Sequence, residues 1–182
     1  MTRWEYIEKV HMLKQESYRL DVEGWLQYEL FTFPWWILLA FFICPWLLWF
    51  ALAKSSMLME SLLFGALIII PTTYLDAFGL ELEFWIYPIQ FLPLAPRAIP
   101  FDMSMVPVAF MLIHQYFSTW KTFSMALLVM STLFAFVGEP FSVWLELVQY
   151  HKWNYVYSFL YYIGIGLTVR WIIVKIKSSA SA

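Results

Sequence analysis

Charge is scarce in this sequence. Asp, Glu, Lys and Arg make up 13% of its 182 residues, where a soluble domain carries about 25%. A formal net charge of −2 leaves no electrostatic footprint for nucleic acid. Cys44 stands alone, which excludes an internal disulfide and does not report on redox compartment. His11, His114 and His151 are scattered without metal-ligand spacing, so no metal and no cofactor is expected. GxSxG, a P-loop, Cys-x-x-Cys and HExxH are all missing, which argues against the commonest hydrolase, nucleotide and redox chemistries. No internal repeat, low-complexity tract or second domain is visible. The charged segment 1–29 does not read as a cleavable signal peptide.

What the chain has instead is apolar and aromatic side chains. Hydrophobic residues make up 62%, with eleven Trp, eleven Tyr and seventeen Phe. They come in membrane-length blocks. Trp and Tyr favour the headgroup layers, so several spans with two interfaces each account for much of the aromatic count. The pattern predicts an all-α, polytopic transmembrane helical bundle with five spans, at about 30–53, 57–76, 103–117, 122–138 and 156–174. An amphipathic, interfacial segment over 1–29 precedes them and a polar tail, 178–182, follows. The N-terminal helix either lies at the membrane surface or packs on the protein's own loops.

The stretch Asp102–Pro140 reads as a hairpin, two apolar limbs joined at Ser118–Lys121. Each limb is roughly 24 to 27 Å long by helix rise, just under a hydrocarbon core of about 30 Å. Pro45 should kink the first span, and Pro71 frees a carbonyl that Thr72 or Thr73 could satisfy. Gly164 and Gly166 should allow close helix approach. Pro88, Pro93, Pro96 and Pro100 rule out one regular helix through 77–101. That connection is still too apolar for a solvated loop, so it forms an interfacial aromatic belt or re-enters the membrane. The segment 141–153 reads as interfacial. Lys54, Lys121, Arg170, Lys175 and Lys177 fall on one side, which favours a multi-pass plasma-membrane protein with its C-terminus in the cytoplasm.

Ionisable residues inside membranes are functional candidates. Threading the spans puts Asp76, Asp102 and Glu139 at one level, and Glu60, His114, Gln115 and Arg170 at the other. The three acids are the catalytic candidates. They are either helix-end caps facing headgroup water or an acid pocket roofed by the aromatic connection. Trp85, Tyr87, His114 and Gln115 are the candidate pocket-lining residues, and Glu60 with Arg170 the candidate ion pair.

Two resemblances follow from motifs. CPWLLW at 44–49, LDAFG at 75–79, FWIYP at 84–88, PFDMSMVP at 100–107, FMLIHQYF at 110–117, FAFVGEP at 134–140 and WNYVYSFLYY at 153–162 resemble the uncharacterised small multi-spanning membrane proteins of Gram-positive, spore-forming bacteria. That likeness implies membrane location and fold and transfers no activity. Asp76, then Trp85-x-Tyr87, then Pro100-x-Asp102 is similar to the pattern of integral-membrane carotenoid and terpene cyclases, although lycopene cyclases tend to show a pair of acids after that proline. This second likeness implies a carboxylic acid as proton donor and aromatic faces around a carbocation.

The sequence thus leads to an integral membrane protein of unassigned molecular function that lies in the lipid bilayer and binds a lipid or a partner in the cell envelope. The alternatives are an isoprenoid cyclase and a small proton-coupled transporter or channel. The cyclase requires a closed pocket lined by Trp85, Tyr87 and the acids. The transporter requires a water-filled route joining the two polar levels.

Overall fold

The apolar blocks fold as helices, because in apolar surroundings every backbone N–H and C=O must find its partner within the chain. The computed structural model of the protein describes residues 1–180. The chain runs α1 (Arg3–Gly24), α2 (Phe33–Leu52), α3 (Leu58–Glu81), β1 (Trp85–Ile86), α4 (Val106–Tyr116), α5 (Trp120–Leu133), α6 (Glu139–Trp144), β2 (Gln149–Tyr150) and α7 (Tyr155–Ala180). π-helical turns at Trp25–Glu29, Phe101–Met105 and Phe134–Gly138 extend α1, lead into α4 and join α5 to α6. The protein is all-α apart from the two short strands. Among the described residues, four helical stretches are long and apolar enough to cross a membrane: Phe33–Leu52, Ser55–Glu81, Trp120–Trp144 and Tyr155–Ser179. Leu47, Phe50, Ile70, Val129 and Leu160 are exposed along them, an outward face suited to lipid.

Several expected boundaries move. α3 runs past Asp76 to Glu81 and stops where Glu83 takes a positive φ of 55°. Asp76 is therefore inside the helix. The hairpin's second limb also continues, through Glu139 and Pro140 to Trp144. The π turn closes with Glu139 N–H on the Phe134 carbonyl, and Pro140, which has no N–H to place, follows without breaking the helix. The tail at 178–182 is helical as far as Ala180, and 181–182 lie outside the described residues. The segment 141–153 holds the end of α6, a turn at Glu146 (φ 58°) and β2. β2 pairs antiparallel with β1, Trp85 opposite Tyr150.

α1 begins with a capping box: Glu5 N–H donates to Thr2 Oγ1 (3.3 Å) and Thr2 N–H to Glu5 Oε2 (2.8 Å). None of its residues is buried. Its last turn is anchored where Asp21 meets Arg97 at 2.9 Å and Gln90 Nε2 at 2.9 Å. The connection after β1 is pinned by indoles, Trp25 Nε1 to the Gln90 carbonyl (3.0 Å) and Trp35 Nε1 to the Phe91 carbonyl (3.1 Å). Glu29 accepts the Gln90 N–H at 2.6 Å. Burial pushes the Glu29 carboxyl above its ordinary value, and that bond pulls it part of the way back.

The core joins α3, α4, α5 and α7 through Phe64, Ile68, Phe110, Phe123, Leu127 and Val169. Lipid tails are as apolar as these side chains, so close packing and internal hydrogen bonds hold such helices together. Gly166 is one point of close approach: a Cβ there would sit 2.7 Å from Phe110 and 2.8 Å from Leu127. Gly164 faces open space, so only one of the two expected glycines has this role. Thr72 back-bonds to the Ile68 carbonyl (2.8 Å), one residue along from the carbonyl that Pro71 leaves free.

Candidate functional site

The three acids predicted to share a level share a cavity. It holds about 150 Å³, the size of an apolar cavity that takes up benzene. Asp76, Asp102, Glu139, Trp85, Tyr87 and Tyr150 all line it, and no Lys, Arg or His does. Three like charges crowded in a low-dielectric space, without a cation to offset them, do not all ionise together.

Local structure explains how they meet. Asp76 projects from the last two turns of α3. Two of the three π turns supply cavity wall: Phe101, Asp102 and Met105 from the first, Phe134 and Gly138 from the second. A π turn widens the helix by one residue and re-aims the side chains that follow, and such turns are frequent at functional sites. The second re-aims Glu139, the first residue of α6. From α7, Ser158 and Tyr162 face the same way at an i, i+4 spacing.

The acids differ in their hydrogen bonds. Asp76 Oδ1 accepts Trp85 Nε1 at 3.0 Å and also the Tyr87 hydroxyl. Glu139 accepts Ser158 Oγ at 3.0 Å and Tyr162 OH at 3.3 Å. Asp102 is 5% exposed, and its Oδ2 has no partner. Burial, then the neighbouring Asp76 carboxylate, push the Tyr87 hydroxyl well above its ordinary value. Burial and then Glu139 do the same to Tyr150. Both phenols therefore stay protonated at neutral pH and act as donors.

The cover is built from the strand pair. Trp85 packs edge-on against Trp153 with centroids 5.1 Å apart. Its indole also lies directly over Gly79, where a Cβ would collide with the ring.

The other polar level is a separate structure. Glu60 Oε1 accepts His114 Nε2 at 2.9 Å and Glu60 Oε2 takes Lys177 Nζ at 2.7 Å. Arg170 donates to the carbonyls of Phe117 (3.1 Å) and Ser118, and lies 4.3 Å from the Phe123 ring centre. The expected Glu60–Arg170 pair is thus replaced, because Lys177 reaches Glu60 along α7 while Arg170 caps the end of α4. Gln115 ties α2 to α4 by donating to the Leu52 carbonyl (3.0 Å) and accepting Lys54 N–H (3.3 Å). His114 stacks on Phe64 at 4.3 Å. Neither His114 nor Gln115 lines the acid cavity; they lie at the opposite end of α4, the level expected for them.

Sequence reasoning placed Asp76, Asp102, Glu139, Trp85 and Tyr87 and missed Tyr150, Ser158, Tyr161 and Tyr162. The α7 residues carry a legible signal, a polar stripe at helical spacing inside an apolar span. Tyr150 carries none, since its place depends on a two-residue strand. Comparison with family models, curated proteins and solved structures finds no match.

Proposed function

We infer that this is a multi-pass plasma-membrane protein, its C-terminus in the cytoplasm, that binds the unsaturated end of an isoprenoid lipid and acts on it as an acid–base catalyst. The helix through residues 99–116, roughly 27 Å by helix rise, serves as a fifth crossing beside the four longer ones. One observation carries the reading: three helices bring Asp76, Asp102 and Glu139 to one aromatic cavity, and among the three only the Asp102 carboxyl receives no hydrogen bond from the described residues, its Oδ2 being buried without a partner. A buried carboxyl that receives no donor is poorly stabilised as an anion. Asp102 is therefore the acid. Asp76, with two donors, suits the carboxylate.

Asp102 transfers its proton to one carbon of a trisubstituted double bond. The π electrons form the new C–H bond and leave a tertiary cation against the aromatic lining. A second double bond of the same chain attacks the cation and closes a C–C bond. A carbon next to the new cation then loses a proton to Asp76 or Glu139, and the C–H pair becomes the new double bond. Substrate and product are isomers, so no oxidant or cofactor is consumed. The proton returns to Asp102 from the carboxylate that took it. General-acid catalysis of this kind contributes about 10²- to 10⁴-fold.

The transporter reading has less support, since the apolar cluster of Phe64, Ile68, Phe110 and Phe123 separates the two polar levels. The likeness to the spore-former membrane family agrees with a role in the envelope. The test is a comparison of lipid extracts from one host carrying wild type, Asp102→Asn, Asp102→Glu or empty vector, profiled by mass spectrometry. A cyclised or isomerised isoprenoid should appear with wild type, fall with Asp102→Asn and partly return with Asp102→Glu. Matching profiles in all four, with each protein present in the membrane, would leave a lipid- or partner-binding protein without catalysis.

A further inference from the structure

The strand pair supplies Trp85 and Tyr150 to the loop end of the cavity, and α6 supplies Phe141 to its side. At the loop end, β1 pairs with β2, and the Phe84 carbonyl accepts both His151 N–H (2.8 Å) and Lys152 N–H (3.0 Å). The Trp85 indole closes the space beneath. Among the residues that line the cavity, only Phe141 is exposed, at 43%. It belongs to the apolar span Trp120–Trp144. Leu133, Val137, Phe141 and Trp144 recur every three to four residues along the same span, and the other three are exposed at 53%, 59% and 74%. The exposed part of the cavity wall therefore continues an apolar face that suits lipid. Phe41 of α2, half-buried, also lines the cavity.

Size gives a second argument. A cavity of about 150 Å³ accommodates roughly one six-carbon ring. Any longer ligand must leave its remainder outside, and the exposed part of the wall is where that remainder can pass.

Building on the lipid-binding reading, we propose that the cavity is entered sideways from the bilayer, past Phe141 between α6 and α2. Its ligand is then a long-chain, membrane-resident isoprenoid whose terminal unit enters first while the rest of the chain stays among the acyl tails. Phe141 and Phe41 select for this shape. A branched, flat terminal unit passes between two rings, and a headgroup with its hydration shell does not.

The test uses the full chain in phosphatidylcholine vesicles and two photoreactive analogues of geranylgeraniol, one with a diazirine at the hydrocarbon terminus and one with it at mid-chain. Cross-linked residues are mapped by mass spectrometry. The terminal probe should label the cavity at Trp85, Tyr150 or Tyr162, and the mid-chain probe should label Phe141, Trp144 or Phe41. If the terminal probe labels the cavity but the mid-chain probe labels the loop segments 84–92 or 149–153, entry is from the aqueous side. The lateral route is then wrong while the cavity reading stands. If the terminal probe labels no cavity residue, the cavity reading fails and the route falls with it.

Discussion

The two ends of this bundle hold similar numbers of ionisable groups and treat them in opposite ways. At one end Glu60 is set against His114 and Lys177, and Arg170 spends its donors on the carbonyls of Phe117 and Ser118. Anion meets cation, and three helices are tied together. At the other end three acids share a cavity with no basic side chain, and one of them keeps an unpartnered oxygen. The first arrangement is what stability asks of polar groups in an apolar bundle. The second leaves acids without a basic partner, and a buried polar atom left unpaired calls for a reason of its own. The lesson is that the rarity of intramembrane charge marks both ends as interesting, and only the partners separate a clasp from a site.

The contrast can be broken most severely at Asp102. Asp102→Asn keeps the shape and removes the acid, so product formation should fall by about 10²- to 10⁴-fold while the variant stays folded, as read by lipid profiling against protein level. Next is Gly138→Leu, which fills the cavity from its wall. A Cβ there meets only the Leu133 carbonyl, at 3.7 Å, so the helix tolerates it and gains about 0.5–1 kcal/mol from losing a glycine. Product and bound lipid should both disappear with no fall in Tm.

Glu60→Gln sharpens the contrast from the other end. It leaves His114 and Lys177 without their anion and should cost about 1–3 kcal/mol, seen as a lower Tm in detergent. Activity per folded molecule should be unchanged. The smallest effect is spectroscopic. Tyr87 and Tyr150 have raised pKa values, so they should stay protonated in an ultraviolet titration that ionises exposed tyrosines near about pH 10. The sign follows from linkage. A phenol whose folded pKa lies above its unfolded one stabilises fully below about pH 10, and that contribution is lost as pH rises toward the folded value. Tyr87→Phe and Tyr150→Phe should each reduce this alkaline loss of stability.

Much of this was legible in the sequence, for physical reasons. Long apolar runs admit only helix in a bilayer, so the four longest stretches were found from hydropathy. The level shared by Asp76, Asp102 and Glu139 followed from alternating the direction of successive helices. Their convergence did not, because it depends on π turns at Phe101–Met105 and Phe134–Gly138 that rotate the side chains after them, and no composition signal marks those. Glu139 read as a helix end because Pro140 usually is one, and the π turn removes that conflict. Tyr150 depends on the β1–β2 pair, too short to show a period. The Glu60–Arg170 pair was the nearest pairing by level, but Lys177, seven residues on and so on nearly the same face of α7, lies about 10 Å farther along the axis and is the cation that reaches Glu60.

The account rests on one end being a lipid site and the other a clasp. Native mass spectrometry of wild type, Gly138→Leu and Glu60→Gln, each purified from native membranes in mild detergent, tests that most directly. The account predicts a lipid adduct of one mass retained by wild type and Glu60→Gln and lost from Gly138→Leu. Equal adduct on all three, or loss from Glu60→Gln alone, would contradict it.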